Sequence, residues 1–354
     1  MVERRGAKCL FVGFAIQYII YFFKKVIGRS YVLTPDAITL AYQLLLGRKP
    51  ENSELAQTLL AEHGSLEDLR QQIMGLSEFA KLANKFAEHS KPALRHPFGL
   101  PAIPVEVDCS QKLLDQMFLR IAKEWQFLGE SNPYWSVITQ PEYDLLEFEK
   151  NRDQFYSSGK HTADIFLASL RRCRVNPNEL KSCIDYGCGV GRVSSHLASI
   201  FSKVIAVDIS QPHLSLAAEY AKQSNINNIE FVHADRIESV LSLPKVDAIL
   251  SVITLQHNPP PVINWLIENL LALLNPGGVA YLQLPSYRNG YLFEVERYLN
   301  IPETKGLEMH FLPQEYIFRA ITNSGCVCLE VREDTAVGDE YNMLSNSFVI
   351  KRPA

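Results

Sequence analysis

CIDYGCGVGRVSSHLA, residues 183–198, decides how the rest of the chain is read. A short apolar run, CIDY, leads into three alternating glycines, Gly187, Gly189 and Gly191, and a helical pattern follows. A strand, a tight turn and a helix are the expected result, with the turn at the carboxyl end of the strand. Such a loop is shaped to hold a ligand, and its chemistry decides which one.

A phosphate loop of the form G-x-x-x-x-G-K-[ST] is absent. The dinucleotide fingerprint G-x-G-x-x-G fails as well, because Arg192 stands where its third glycine belongs. Asp185 lies two residues before the first glycine. A carboxylate there repels a pyrophosphate but receives an ammonium group. VIAVDIS then puts Asp208 at the end of the next strand, where a carboxylate accepts from both hydroxyls of a ribose. Asp235, in IEFVHAD, ends the third strand and is placed to accept from an adenine amino group. Ribose, adenine and ammonium without phosphate describe S-adenosyl-L-methionine.

Outward from this loop, strand and helix alternate through VIAVDIS, PHLSLAAEYAKQ, IEFVHAD, VDAILSVI, PVINWLIENLLALL and GGVAYLQLP. That alternation predicts a doubly wound α/β fold on a parallel sheet, whose ligands sit beyond the carboxyl ends of the strands. With IDYGCGVGR, VIAVDIS, FVHAD and LLNPGGVAYLQLP in this order, residues 184–285 resemble a class I S-adenosylmethionine-dependent methyltransferase. The resemblance implies a seven-stranded Rossmann-like sheet of order 3-2-1-4-5-7-6. It also implies a cofactor site of Asp185, Gly187, Cys188, Gly189, Gly191, Asp208, Ile209, Asp235, Arg236 and Ser251.

LQHNPPPVINW, residues 255–265, follows the fourth strand and faces the transferable methyl in this reading. Asn258 followed by Pro259–Pro261 also reads as an ordinary helix start. The stretch resembles the N-P-P-aromatic motif of amine-directed methyltransferases, but Pro261 replaces the aromatic and removes a stacking surface for a planar base. A hydroxyl acceptor is therefore expected, and His257 or His310 is the candidate proton acceptor. The three tryptophans read first as core residues.

Composition bounds the alternatives. The 354 residues are 47% hydrophobic and 21% charged, enough for one large core and a smaller one. A net charge of −4 supplies no basic field, so no nucleic-acid partner is expected. Seven scattered cysteines form neither a disulfide framework nor paired zinc ligands, and no metal site is expected. A cytoplasmic setting follows.

Four regions are expected. Residues 1–30 form a hydrophobic, basic helix, in which the uncharged run CLFVGFAIQYIIYFF lies between Arg4, Arg5, Lys8 and Lys24, Lys25, Arg29. It is short for a span, and an interfacial helix on the inner face of a membrane, through residues 9–27, fits better. Packing on the protein itself and a true span are the alternatives. Residues 31–90 form a small all-α domain, with Thr34–Pro35 and Ser65 as helix starts. AYQLLLGRKPENSEL and GLSEFAKL resemble a helical domain found beside bacterial methyl- and glycosyltransferases, which implies a docking module for a protein partner. Residues 91–110, with Pro92, Pro97, Pro101 and Pro104, read as a linker. Residues 111–354 form the methyltransferase domain, with its core at 180–354.

Three functions fit these observations. The first is a methyltransferase acting on a small-molecule, glycan or glycolipid acceptor, at a hydroxyl. The second is a cofactor-binding but inactive interaction module. The third, a nicotinamide oxidoreductase, is opposed by the missing third glycine.

Overall fold

The computed structural model describes residues 34–46, 48–62, 66–79, 81, 101–302, 306–336 and 343–354. The hydrophobic residues 9–27 and the helix start at Ser65 lie outside them. The chain divides into two compact units, residues 1–94 and 95–354. No helix of the described residues is long and apolar enough to cross a membrane.

In the first unit, α1 (Pro35–Leu46), α2 (Ser53–Glu62) and α3 (Leu66–Gly75) enclose Ile38, Tyr42, Leu59, Leu69 and Ile73. Thr34 Oγ1 accepts from Ala37 N–H at 3.2 Å, and Asn52 Oδ1 accepts from Leu55 N–H at 2.8 Å. Each side chain satisfies one of the amides that a helix start leaves without a partner. Arg48 joins Glu78 through two 2.7 Å hydrogen bonds.

The second unit opens with α4 (Gln111–Ser131), α5 (Pro133–Val137) and α6 (Phe148–Arg172). The alternating core follows: β1 (Ser182–Tyr186), α7 (Ser194–Leu197), β2 (Lys203–Asp208), α8 (Gln211–Gln223), β3 (Ile229–His233), α9 (Ile237–Leu241), β4 (Val246–Ser251), α10 (Pro260–Ala272) and β5 (Leu274–Arg288). After an insertion that holds α11 (Val295–Asn300), the chain ends in α12 (Gln314–Asn323), β6 (Val327–Asp334) and β7 (Met343–Lys351). The sheet has seven strands in the order β3-β2-β1-β4-β5-β7-β6. β1 to β5 run parallel, β7 is antiparallel to β5, and β6 is antiparallel to β7.

Side chains alternate between the two faces of each strand, and both faces are buried. Ile184, Ile205, Ile249 and Ala280 pack toward Phe118 of α4, Leu266 of α10 and Ile317 of α12. Cys183, Val204, Ala248 and Val279 pack on the opposite face against Phe166 and Leu170 of α6.

Four local details differ from the sequence reading. The helix expected over GRVSSHLASIF is regular only at Ser194–Leu197. Ser194, Ser195 and Ser199 each turn a hydroxyl onto a nearby carboxylate or carbonyl, bonds that compete with a regular helix. β4 ends at Ser251, because Ile253 takes a left-handed backbone with φ 55°. Asn258 does not cap α10. Its Nδ2 donates back to the carbonyls of Thr254, at 3.1 Å, and Leu255, at 3.3 Å, and Pro259 stands at the cap position. In the proline-rich segment, Val105 bridges to Phe293 in parallel, Phe293 N–H donates to Pro104 O at 3.1 Å, and Glu106 accepts from Val295 N–H.

Candidate active site

A cavity lies beyond the carboxyl ends of β2, β1 and β4, neighbours in the sheet. Gly187 and Gly189 form its floor at φ 79° and 53°, backbone conformations that side-chain-bearing residues rarely adopt. The loop is pinned where the amides of Gly187 and Cys188 both donate to Val207 O, at 2.8 and 3.0 Å. A Cβ on Gly187 would stand 2.1 Å from Thr254, and one on Gly189 would stand 2.8 Å from Val137. The loop is thus a bare backbone surface, closed in by the segment after β4 on one side and by α5 on the other.

Two carboxylates and one guanidinium border the cavity. Asp208 holds the loop from beside: Oδ2 accepts from Gly189 N–H at 2.7 Å and Oδ1 from Ser210 N–H at 2.9 Å. Asp185 is buried and accepts from Ser194 Oγ at 2.6 Å. Burial raises its pKa to about 6, against the lowering effects of Ser194 and Arg192. Arg192 Nη1 donates to Ser158 Oγ at 3.1 Å, while its buried Nε has no hydrogen-bond partner. A buried guanidinium with an unmet donor is an acceptor-seeking group.

The cover is held by His213 on α8. Its Nε2–H donates to Pro133 O at 3.1 Å and lies 2.9 Å from Ser136 Oγ, and Ser210 Oγ donates to its Nδ1 at 2.7 Å. Burial pushes the imidazole pKa down, which favours this neutral arrangement. Ser136 and Val137 are thereby fixed at the cavity wall, and Trp125 and Ile121 of α4 complete that side.

Of the residues expected at a cofactor site, Asp185, Gly187, Cys188, Gly189, Asp208 and Ile209 come together around the cavity. Gly191, Asp235, Arg236 and Ser251 lie outside its lining. Gly191 rests on Ala217 of α8, and Asp235 forms a 3.2 Å surface pair with Arg236. Ser251 Oγ donates to Tyr186 O at 3.0 Å, which fastens the ends of β4 and β1 together.

His257 and His310 also lie outside the lining. Nδ1–H of His257 donates to Glu308 O at 2.8 Å, and burial lowers its pKa to about 4. Trp125 packs edge-on against it at 5.2 Å. His310 accepts from Tyr291 O–H at 2.9 Å through Nδ1 and donates to Glu308 Oε2 at 3.2 Å through Nε2. Glu308 also meets Arg120, whose Nη1 donates to the carbonyls of Tyr298 and Ile301, both at 2.8 Å. A buried network thus ties α4 to the insertion, next to the turn that carries His257.

Sequence reasoning missed Thr254, Val137, Arg192 and Trp125. Arg192 had a local signal, since it directly follows the third glycine. The other three reach the cavity only through tertiary packing.

Residues 183–278 match the family described as a methyltransferase domain. The chain is 25% identical over 185 residues to a ubiquinone biosynthesis O-methyltransferase of Psychrobacter cryohalolentis, covering 51% of this chain and 66% of that protein. It is 27% identical over 178 residues to a ubiquinone biosynthesis O-methyltransferase of Coxiella burnetii, covering 49% of this chain and 72% of that one. With the biotin biosynthesis bifunctional protein BioHC of Cellvibrio japonicus it shares 27% identity, over 32% of that protein's length. The match therefore spans less than two thirds of the Psychrobacter and Cellvibrio relatives. Among solved structures, magnesium protoporphyrin IX methyltransferase from Synechocystis PCC 6803 with bound S-adenosylhomocysteine is similar at 18% identity and a TM-score of 0.46, covering 67% of this chain and 99% of that one.

The domain at 183–278 is an S-adenosylmethionine-dependent methyltransferase domain. S-adenosyl-L-methionine is the cofactor that goes with it, and the residues present fit that molecule. The side-chain-free floor admits a ligand at backbone distance. Asp208 suits ribose hydroxyls, Asp185 an ammonium and Arg192 a carboxylate.

Proposed function

We propose that this chain transfers a methyl group to a hydroxyl of a small-molecule, glycan or glycolipid acceptor. The observation that carries the reading is the wall after β4. There Asn258 lines the cavity, and the residue at the aromatic position of the amine-directed motif is Pro261, buried in the first turn of α10. A proline in that turn offers no flat surface on which a planar base would stack. Two of the relatives above are named O-methyltransferases, which supports an oxygen acceptor.

When bound, S-adenosylmethionine supplies a sulfonium methyl for in-line displacement. The chain's own residues align and desolvate. The glycine floor and Asp208 fix the nucleoside end, while Trp125, Ile121, Val252 and Ile253 exclude water from the acceptor approach. A base with its pKa near 4 is poorly matched to proton removal at pH 7, so alignment carries more of the rate than His257 does.

In this reading the enzyme is cytoplasmic and rests on the inner face of a membrane through residues 9–27, while residues 31–90 engage a protein partner. The apolar run between basic ends supports the first placement.

The deciding experiment incubates the full chain with S-adenosylmethionine and panels of phenols, oligosaccharides and glycolipids, and reads S-adenosylhomocysteine release and acceptor mass. Release that depends on one acceptor hydroxyl and disappears with the deoxy analogue is expected. Methylation confined to amines would overturn the reading. Tight S-adenosylhomocysteine binding without turnover on any acceptor would make the chain an interaction module instead.

A further inference from the structure

Ile253 is β-branched, yet its φ is 55°. Such residues avoid the left-handed region, and an outlier of this kind persists only where its surroundings over-determine it. Ile253 lines the cavity with 42% of its surface exposed, so packing around its own side chain does not hold it there.

The hold comes from β5. Gln283, 2% exposed, accepts the Ile253 N–H on Oε1 at 2.7 Å. Its Nε2 donates to Ser345 Oγ on β7 at 2.7 Å and faces Gln256 Oε1 at 3.4 Å. The Ile253 amide demands an acceptor, which fixes the orientation of the glutamine amide. A buried primary amide on a central strand is costly unless every polar atom is used, and here both ends are used.

The left-handed step at Ile253 also places the next residue. Thr254 sits against Gly187, where its Oγ1 reaches Gly187 O at 3.4 Å and its methyl fills the space a Cβ would need. A strand continuing straight past Ser251 would carry Thr254 away from the glycine loop. Gln283 is not itself among the residues lining the cavity.

We propose that Gln283 is a positioning residue, anchored by Ser345, that locks Ile253 in its left-handed turn, presses Thr254 onto the glycine loop and so sets the β4 wall of the cofactor cavity. It rests on the cofactor assigned above.

The test uses the full chain and S-adenosylhomocysteine as the calorimetric probe. Glycine adopts a left-handed backbone without penalty, so it removes the need for the clamp. Gln283→Leu is expected to weaken S-adenosylhomocysteine about tenfold in the otherwise unaltered chain, but less than about threefold when Ile253→Gly is also present, a coupling of the size seen between contacting groups. Ser345→Ala, a milder change that keeps Gln283, should follow the same pattern at about threefold and serves if Gln283→Leu does not fold. Equal losses of affinity with and without Ile253→Gly, or none in either, would overturn the proposal. Failure of the unaltered chain to bind S-adenosylhomocysteine would instead overturn the cofactor assignment.

Discussion

Thr254 occupies the volume that any side chain at Gly187 would need. A Cβ there would lie 2.1 Å from Thr254 Cγ2 and 2.2 Å from its hydroxyl, at a position whose φ is 79°. The two residues are 67 apart in sequence. The carboxyl ends of β1 and β4 meet through them.

Gly187→Ala should therefore combine left-handed strain with a direct clash. A loss of about 2 kcal/mol or more in stability is expected, together with loss of S-adenosylhomocysteine binding. Gly290→Ala provides the control. Its φ is also positive, at 75°, but a Cβ there meets nothing within 4 Å. It should cost about 1 to 2 kcal/mol and leave binding unchanged. Thermal melting and calorimetry on both variants decide the matter, and equal effects would remove Thr254 from the account.

Asp185 should make cofactor affinity pH-dependent. Its carboxyl has a folded pKa of about 6, above the ordinary carboxylate range, because burial disfavours the charge. A raised acid pKa stabilises the free protein fully below the ordinary pKa, and that contribution is lost as pH rises through 6. A ligand ammonium favours the ionised form, so affinity should strengthen as pH rises through 6 and then level off. Binding at pH 5 should be about tenfold weaker than at pH 7.5, with the difference abolished in Asp185→Asn. A flat calorimetric profile between these pH values would show that Asp185 meets no cationic group.

The histidines separate alignment from base catalysis. Once an acceptor is in hand, His257→Ala and His310→Ala are expected to retain turnover within about fivefold, because neither ring lines the cavity. A fall of roughly 100-fold or more in turnover at unchanged S-adenosylhomocysteine affinity would restore a histidine as the base.

For the N-terminus, the first 30 residues carry six basic side chains against one acidic. The full chain should pellet with anionic vesicles at low salt and be released as salt rises, while a chain beginning at residue 31 stays in the supernatant. Both chains remaining in solution would refute membrane contact.

The sheet was legible because its signals are local. A short, mostly apolar strand, a glycine turn and a helix start are read from neighbours in sequence, with Asp185 in that strand and Asp208 at the end of the next. The carboxylates of β1 and β2 are accordingly where the motif puts them. The opposite wall was not legible. Ile253 is a strong strand former, and nothing in VDAILSVI announces that the chain turns left-handed at its end. The cause is a glutamine 30 residues later. Trp125 reads as core at helical spacing, and only the packing of α4 beyond the strand ends brings it to the cavity. Asn258 followed by prolines is a sound helix start in isolation, yet its amide is drawn to carbonyls of the preceding turn.

The pair between buried Arg120 and half-buried Glu308 has a mechanical consequence. One guanidinium on α4 binds two carbonyls and a carboxylate of the insertion and rests 4.3 Å from the Tyr298 ring. Separating α4 from the insertion would break this ion pair and both carbonyl hydrogen bonds together. α4, which brings Ile121 and Trp125 to the cavity wall, is therefore fastened to the insertion. The backbone amides of α4 and α11 should accordingly exchange with deuterium at matched rates.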